Sequence, residues 1–91
     1  MEGYKERVYR GHKESVLTVQ FNSDSTRIVT ADHGGSVMIF NIERESAIHV
    51  LNGHKDSVYV AIFCKEARGE QGRVITAGHD GHIVVWDSYI G

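Results

Sequence analysis

The chain is written twice, and that duplication constrains its fold more than any other feature. At a shift of 42 residues, "RGHKESVLTVQF" (10–21) lies over "NGHKDSVYVAIF" (52–63). At a shift of 46, "RIVTADHGGSVMIFN" (27–41) lies over "RVITAGHDGHIVVWD" (73–87). The change of shift puts a four-residue insertion in "CKEARGEQG" (64–72), a glycine-rich, charged loop. Upstream of each Gly-His pair a further piece matches, "KERVYR" (5–10) against "AIHVLN" (47–52). Self-similarity at this period marks a repeat architecture. The first repeat is placed at about 4–45 and the second at about 46–91.

Each copy reads as short strands. Val16, Val19 and Phe21 are apolar positions in a β-branched run, as are Val58, Ala61 and Phe63 in the second copy. Their spacing of three and then two breaks strict alternation and predicts a bulge near each strand start. "RIVTA" and "RVITA" come next. "SVMIFN" and "HIVVWD" follow "DHGG" and "GHDG", where a glycine supplies the positive φ of a tight hairpin turn. No stretch sustains a 3.6-residue apolar period, so no helix is expected. Strands are expected near 4–10, 16–21, 27–31, 36–41, 46–52, 58–63, 73–77 and 82–87, eight antiparallel strands in two sets of four.

Composition narrows the function classes. Ninety-one residues make one small domain at most. No apolar run approaches the ~20 residues that span a bilayer, and no basic-then-apolar leader opens the chain. It is therefore expected to be soluble, untargeted and cytoplasmic. The single cysteine, Cys64, excludes an intrachain disulfide and suits a reducing compartment. Ten basic and twelve acidic side chains are mixed along the chain without a block of either sign. Nucleic-acid binding needs a basic stripe to neutralise phosphates, so neither nucleic acid nor an acidic membrane surface is an expected partner.

A Gly-His pair, an apolar strand, a Thr-containing strand, an Asp-Gly turn and Trp-Asp, in that order, resemble the WD-repeat family of β-propellers. The resemblance covers essentially the whole chain, and the second copy carries the fuller motif. It implies an all-β fold of two four-stranded blades, phased as one outer strand and three inner strands, twice. In that family a histidine, a Ser/Thr, the turn aspartate and the tryptophan form a buried hydrogen-bond chain. Carried onto this sequence, the second repeat supplies His54, Thr76, Asp80 and Trp86. The first supplies His12 and Thr30, with Gly34 where the aspartate belongs and Phe40 for the tryptophan. Phenylalanine has no N–H to donate and glycine no carboxylate to orient an imidazole, so the first network is expected to be incomplete. Asn41 replaces the terminal aspartate, and Asn22 and Cys64 stand where the family often has proline.

Two sharper chemistries compete for the same residues. Thr76, Asp80 and His54 are the residue types of a nucleophile triad, but a triad needs an exposed hydroxyl and an oxyanion hole. A catalytic set also has no reason to recur as a half-copy with Phe and Gly. The six histidines, with His79 and His82 close together, suggest a small metal- or ligand-binding enzyme built on the turns. Zinc needs three or four converging ligands, and neighbours three apart across a β-turn point different ways. No metal, cofactor or catalytic residue is expected. His49 and His82 read as solvated strand residues, and Cys64 as an inert thiol.

Function is therefore expected on the surface. By the family's geometry, Ser15, Leu17 and His33 in the first copy and Ser57, Tyr59 and His79 in the second lie on one face that contacts partners. Tyr59 and Leu17 are the foremost candidates, because aromatic and aliphatic anchors supply much of an interface's energy. The expected role is a non-catalytic scaffold for other proteins or peptides. The phasing leaves the first segment, "YKERVYR", as an outer strand with no blade to complete, and the second blade without an outer strand of its own. Head-to-tail homo-oligomerisation into a ring of about 4–8 blades would satisfy both. The alternative is a fragment of a longer scaffold whose further blades do the same.

Overall fold

In the computed structural model, residues 7–23, 25–44, 47–64 and 73–87 are described. Strands β1 (Val16–Phe21), β2 (Arg27–Asp32), β3 (Ser36–Asn41) and β4 (Ala47–Asn52) pair antiparallel in chain order to form one sheet. Strands β5 (Val58–Phe63), β6 (Arg73–Gly78) and β7 (Ile83–Asp87) form a second sheet of three. The all-β class and the two-sheet division agree with the reading of the repeats. The outer strand expected at 4–10 does not form over residues 7–10, and 4–6 lie outside the described residues. The reason is pairing: β4, the repeat-equivalent of this segment, is held by hydrogen bonds to β3, and the described residues offer 7–10 no such neighbour.

Period-two alternation sorts the apolar side chains onto two faces. From the first sheet, Val29, Ala31, Val37, Ile39 and Leu51 meet Val58, Ala61 and Val74 of the second, with Phe63 and Trp86 packed against them. This is the main core, and it lies between the sheets. Alternate residues of the same strands, Ile28, Met38 and Phe40, form a smaller cluster closed by Tyr9, Ile42 and Ala47. Tyr9 packs its ring 5.4 Å from that of Phe40 and donates its hydroxyl to the Ile42 carbonyl.

The local chemistry follows the repeat. Pairing slips between Val16 and Thr18, and again between Val58 and Val60, so Leu17 and Tyr59 each sit at a bulge. The β2–β3 and β6–β7 turns close with Gly35 N–H to Asp32 C=O and Gly81 N–H to Gly78 C=O. Gly35 and Gly81 hold φ of +99° and +84°, the left-handed region that glycine enters without a Cβ penalty. Asn22 and Cys64 donate their backbone N–H groups to Arg27 C=O and Arg73 C=O. Proline has no N–H and could not make these closing bonds. Asn22 adds its side-chain carbonyl as acceptor for the N–H groups of Thr26 and Arg27.

Candidate functional site

In the second sheet four side chains form one directional chain. Trp86 Nε1 lies 3.0 Å from Thr76 Oγ1, Thr76 Oγ1 lies 2.7 Å from His54 Nε2, and His54 Nδ1 lies 3.1 Å from both Asp80 oxygens. The indole only donates and the carboxylate only accepts. A neutral imidazole must therefore carry its proton on Nδ1, and the Thr76 hydroxyl donates to Nε2. Thr76 is fully buried and His54 nearly so. Asp80 also accepts from the backbone N–H groups of His82 and Lys55. Those bonds, the His82 N–H foremost, with His54 adding its hydrogen bond and charge, lower the carboxyl from 3.8 to about 2 although desolvation opposes them.

The first sheet holds a different version. His12 Nε2 meets Thr30 Oγ1 at 2.5 Å, and His12 Nδ1 meets Asp32 Oδ2 at 2.7 Å. The expectation that Gly34 leaves this histidine without a carboxylate is thus corrected: Asp32 supplies it. Asp32 is at the end of β2, two residues after Thr30, so strand alternation points both side chains to one face. That alternation is the signal in the sequence by which Asp32 could have been found. Its other oxygen accepts from the N–H groups of Gly34 and Ser36 at 2.9 Å each. Burial pushes the Asp32 carboxyl up, but His12 and the two N–H donors outweigh it and hold it below its usual range.

The two repeats have exchanged the places of carboxylate and glycine. Gly78, the equivalent of Asp32, has no room for a side chain: a Cβ there would lie 2.6 Å from the Ser57 carbonyl and 3.1 Å from His54 Nδ1. The tryptophan position differs as well. The Trp86 ring covers Gly53, where an added Cβ would stand 2.5 Å from it. In the first sheet Met38 covers the matching Gly11, with its sulfur 3.0 Å from such a Cβ.

The six candidate partner contacts divide. Tyr59 and Leu17 are 54% and 42% exposed on their bulges, and Ser15 and His79 are also exposed. Ser57 is withdrawn: it is 2% exposed, its hydroxyl 2.7 Å from His33 Nδ1 and 3.0 Å from the His33 carbonyl. The hydroxyl can donate to the carbonyl while accepting from Nδ1–H, so Ser57 and His33 join one sheet to the other. Nothing in the residue types pointed to this joint. Tyr59 meets His79 edge-on, ring centroids 6.1 Å apart, with its hydroxyl 3.5 Å from His79 Nδ1. Among the described residues no three His, Cys, Asp or Glu side chains converge as a metal site.

Comparison with known proteins agrees with this geometry. The family model "WD domain, G-beta repeat" matches twice, over residues 3–41 and 45–87. The chain is 35% identical over 86 residues to WD repeat-containing protein 55 of Arabidopsis thaliana, covering 92% of this chain and 23% of that one. It is 29% identical to Periodic tryptophan protein 2 of Saccharomyces cerevisiae, over 91% of this chain and 9% of that one. It is 32% identical to THO complex subunit 3 of Arabidopsis thaliana, over 93% of this chain and 27% of that one. The chain thus spans only a minor part of the length of these relatives. With two matched repeats and the histidine-centred hydrogen bonds in each, the chain belongs to the WD-repeat family.

Proposed function

We propose that this chain is a non-catalytic interaction platform for other proteins or peptides, and that its two blades are completed by head-to-tail association with further copies. One inequality between repeat-equivalent residues carries the reading. Val37 and Ile39 are 0% exposed beneath the second sheet, whereas their equivalents Ile83 and Val85 are 73% and 58% exposed. The other flank reverses the pattern: Val19 and Phe21 are exposed, while their equivalents Ala61 and Phe63 belong to the core. Two open apolar flanks of complementary origin suit a heterologous contact, which closes into rings when the rotation allows.

The sheet edges support the same arrangement. Among the described residues β7 pairs only with β6, so its outer edge is open to an added strand. Segment 7–10 of the next copy is the repeat-equivalent of the strand that fills this place on β3. Two blades per copy put a trimer or tetramer within the roughly 4–8 blades of a closed propeller. The platform role draws on exposed Tyr59 and Leu17, and on relatives such as THO complex subunit 3, whose name places that protein in an assembly. Catalysis by the His54 set is disfavoured because the Thr76 hydroxyl is sealed from substrate. Half-buried Cys64 fits a reducing compartment, in keeping with the cytoplasm.

A second reading, favoured by the small share of each relative's length that is covered, is that a longer parent chain supplies the neighbouring blades. Light scattering after size exclusion separates the two. Masses of two to four chains are expected from self-association; a well-folded species with the mass of one chain would overturn it.

A further inference from the structure

The joint between the two sheets is a plug seated in a socket, and the chain carries each half twice. The seated plug is loop 54–57, His-Lys-Asp-Ser, and its socket is turn 32–35. Contact is made by two socket residues. His33 pairs with Ser57 through its ring and its carbonyl. Gly35 passes so close that an added Cβ would lie 2.6 Å from the His54 carbonyl oxygen and 3.0 Å from that of Asp56.

The second socket, turn 78–81, keeps the two residues that touch a plug, as His79 and Gly81, and changes the two that serve the hydrogen-bond chain. It is held in the same pose: His79 N–H donates to Ser57 C=O at 2.8 Å, as His33 N–H does to Ser15 C=O at 2.9 Å. Gly81 keeps the left-handed φ of Gly35, yet none of the described residues stands within 4 Å of where its Cβ would be. The second plug, loop 12–15, reads His-Lys-Glu-Ser, and Ser15 is exposed. Plug and socket therefore lie on opposite flanks of the pair of sheets, each matched in residue type to a half that is already joined.

We propose that turn 78–81 of one copy receives loop 12–15 of a second copy, with Ser15 of that copy hydrogen-bonded to His79 and its His12 and Glu14 carbonyls packed over Gly81. The inference rests on the head-to-tail reading and sets its register. It is a joint between copies of this chain because the plug that fits the vacant socket is the chain's own.

A mutant cycle tests it. Ser15→Ala, His79→Ala and the double variant are compared with wild type by concentration-dependent light scattering and by thermal melts at a dilution where chains are single. Within its own blade the His79 side chain meets only the exposed Tyr59 ring among the described residues, so the melts of single chains should differ by no more than a few degrees. Each single variant should weaken association about 3- to 10-fold, and the double no more than the weaker-binding single. Wild-type chain that stays single overturns the head-to-tail reading and the joint together. Association with unchanged affinity in the variants, or with losses that multiply in the double variant, overturns the joint alone.

Discussion

Asp32 Oδ2 stands 2.7 Å from His12 Nδ1, a contact that Gly78, its repeat-equivalent, has no side chain to make. The second sheet reaches the same end from the turn, where Asp80 holds His54. One imidazole is thus oriented from a strand end and the other from a hairpin tip. The two solutions exclude each other locally, because the space over Gly78 is taken by Ser57 C=O and His54.

The exchange predicts a rescue. Asp32→Gly should destabilise by about 2–3 kcal/mol, since it strips His12 and two backbone N–H groups of their acceptor in a buried site. Adding Gly34→Asp to that variant should recover part of the loss by building the second-sheet arrangement in the first. Its Cβ would displace only the flexible Glu14 side chain. Urea denaturation of the single and double variants measures this; equal midpoints would show that the turn of the first sheet cannot present a carboxylate to His12.

Acid should act through the two aspartates. Both carboxyls titrate lower in the folded chain than when unfolded, Asp80 at about 2. The stability they lend is therefore complete above an unfolded value of about 4 and is lost as pH falls toward 2. Melting temperatures recorded across that window should fall more steeply for wild type than for Asp80→Asn, so that the two curves converge. Parallel curves would remove Asp80 from the acid response.

Gly35 and Gly81 form a controlled pair. Both have positive φ, so alanine strains each by about 1 kcal/mol. At position 35 the methyl group also meets two backbone carbonyls of the adjoining sheet, which should raise the cost to about 2–4 kcal/mol. Melts of the two variants at a dilution where chains are single check this. Equal losses would mean that the sheets give way at this joint without penalty.

Tyr59 is expected to serve the surface and not the fold. Tyr59→Ala should leave the melting temperature within a few degrees while weakening a bound partner by about 2 kcal/mol or more. Calorimetric titration with a partner recovered on the wild-type chain provides the comparison. Collapse of the fold on this substitution would return Tyr59 to the core.

Much of this architecture was legible in residue order. The apolar spacing of Val16, Val19 and Phe21 carried the bulge at Leu17, and the glycines of the two turns carried the hairpins. Periodicity alone could not say that residues 7–10 lack a strand, because a strand is a property of the pair and its partner strand is not in this chain's described sheets. Gly34 was misleading for a related reason: matching position to position hid the carboxylate that strand alternation had placed at Asp32. The Ser57–His33 joint was invisible, since it depends on how one repeat stacks on the next and neither residue type announces it.

Trp86 is the chain's single tryptophan, and it lies where the Gly53 loop, the Thr76 hydroxyl and the core between the sheets come together. The chain therefore carries its own optical gauge of blade docking. Parting the two sheets would bring water to the indole and shift its emission to the red without any strand unfolding. Fluorescence and circular dichroism, followed on one sample, would then tell separation of the blades from loss of the blades themselves.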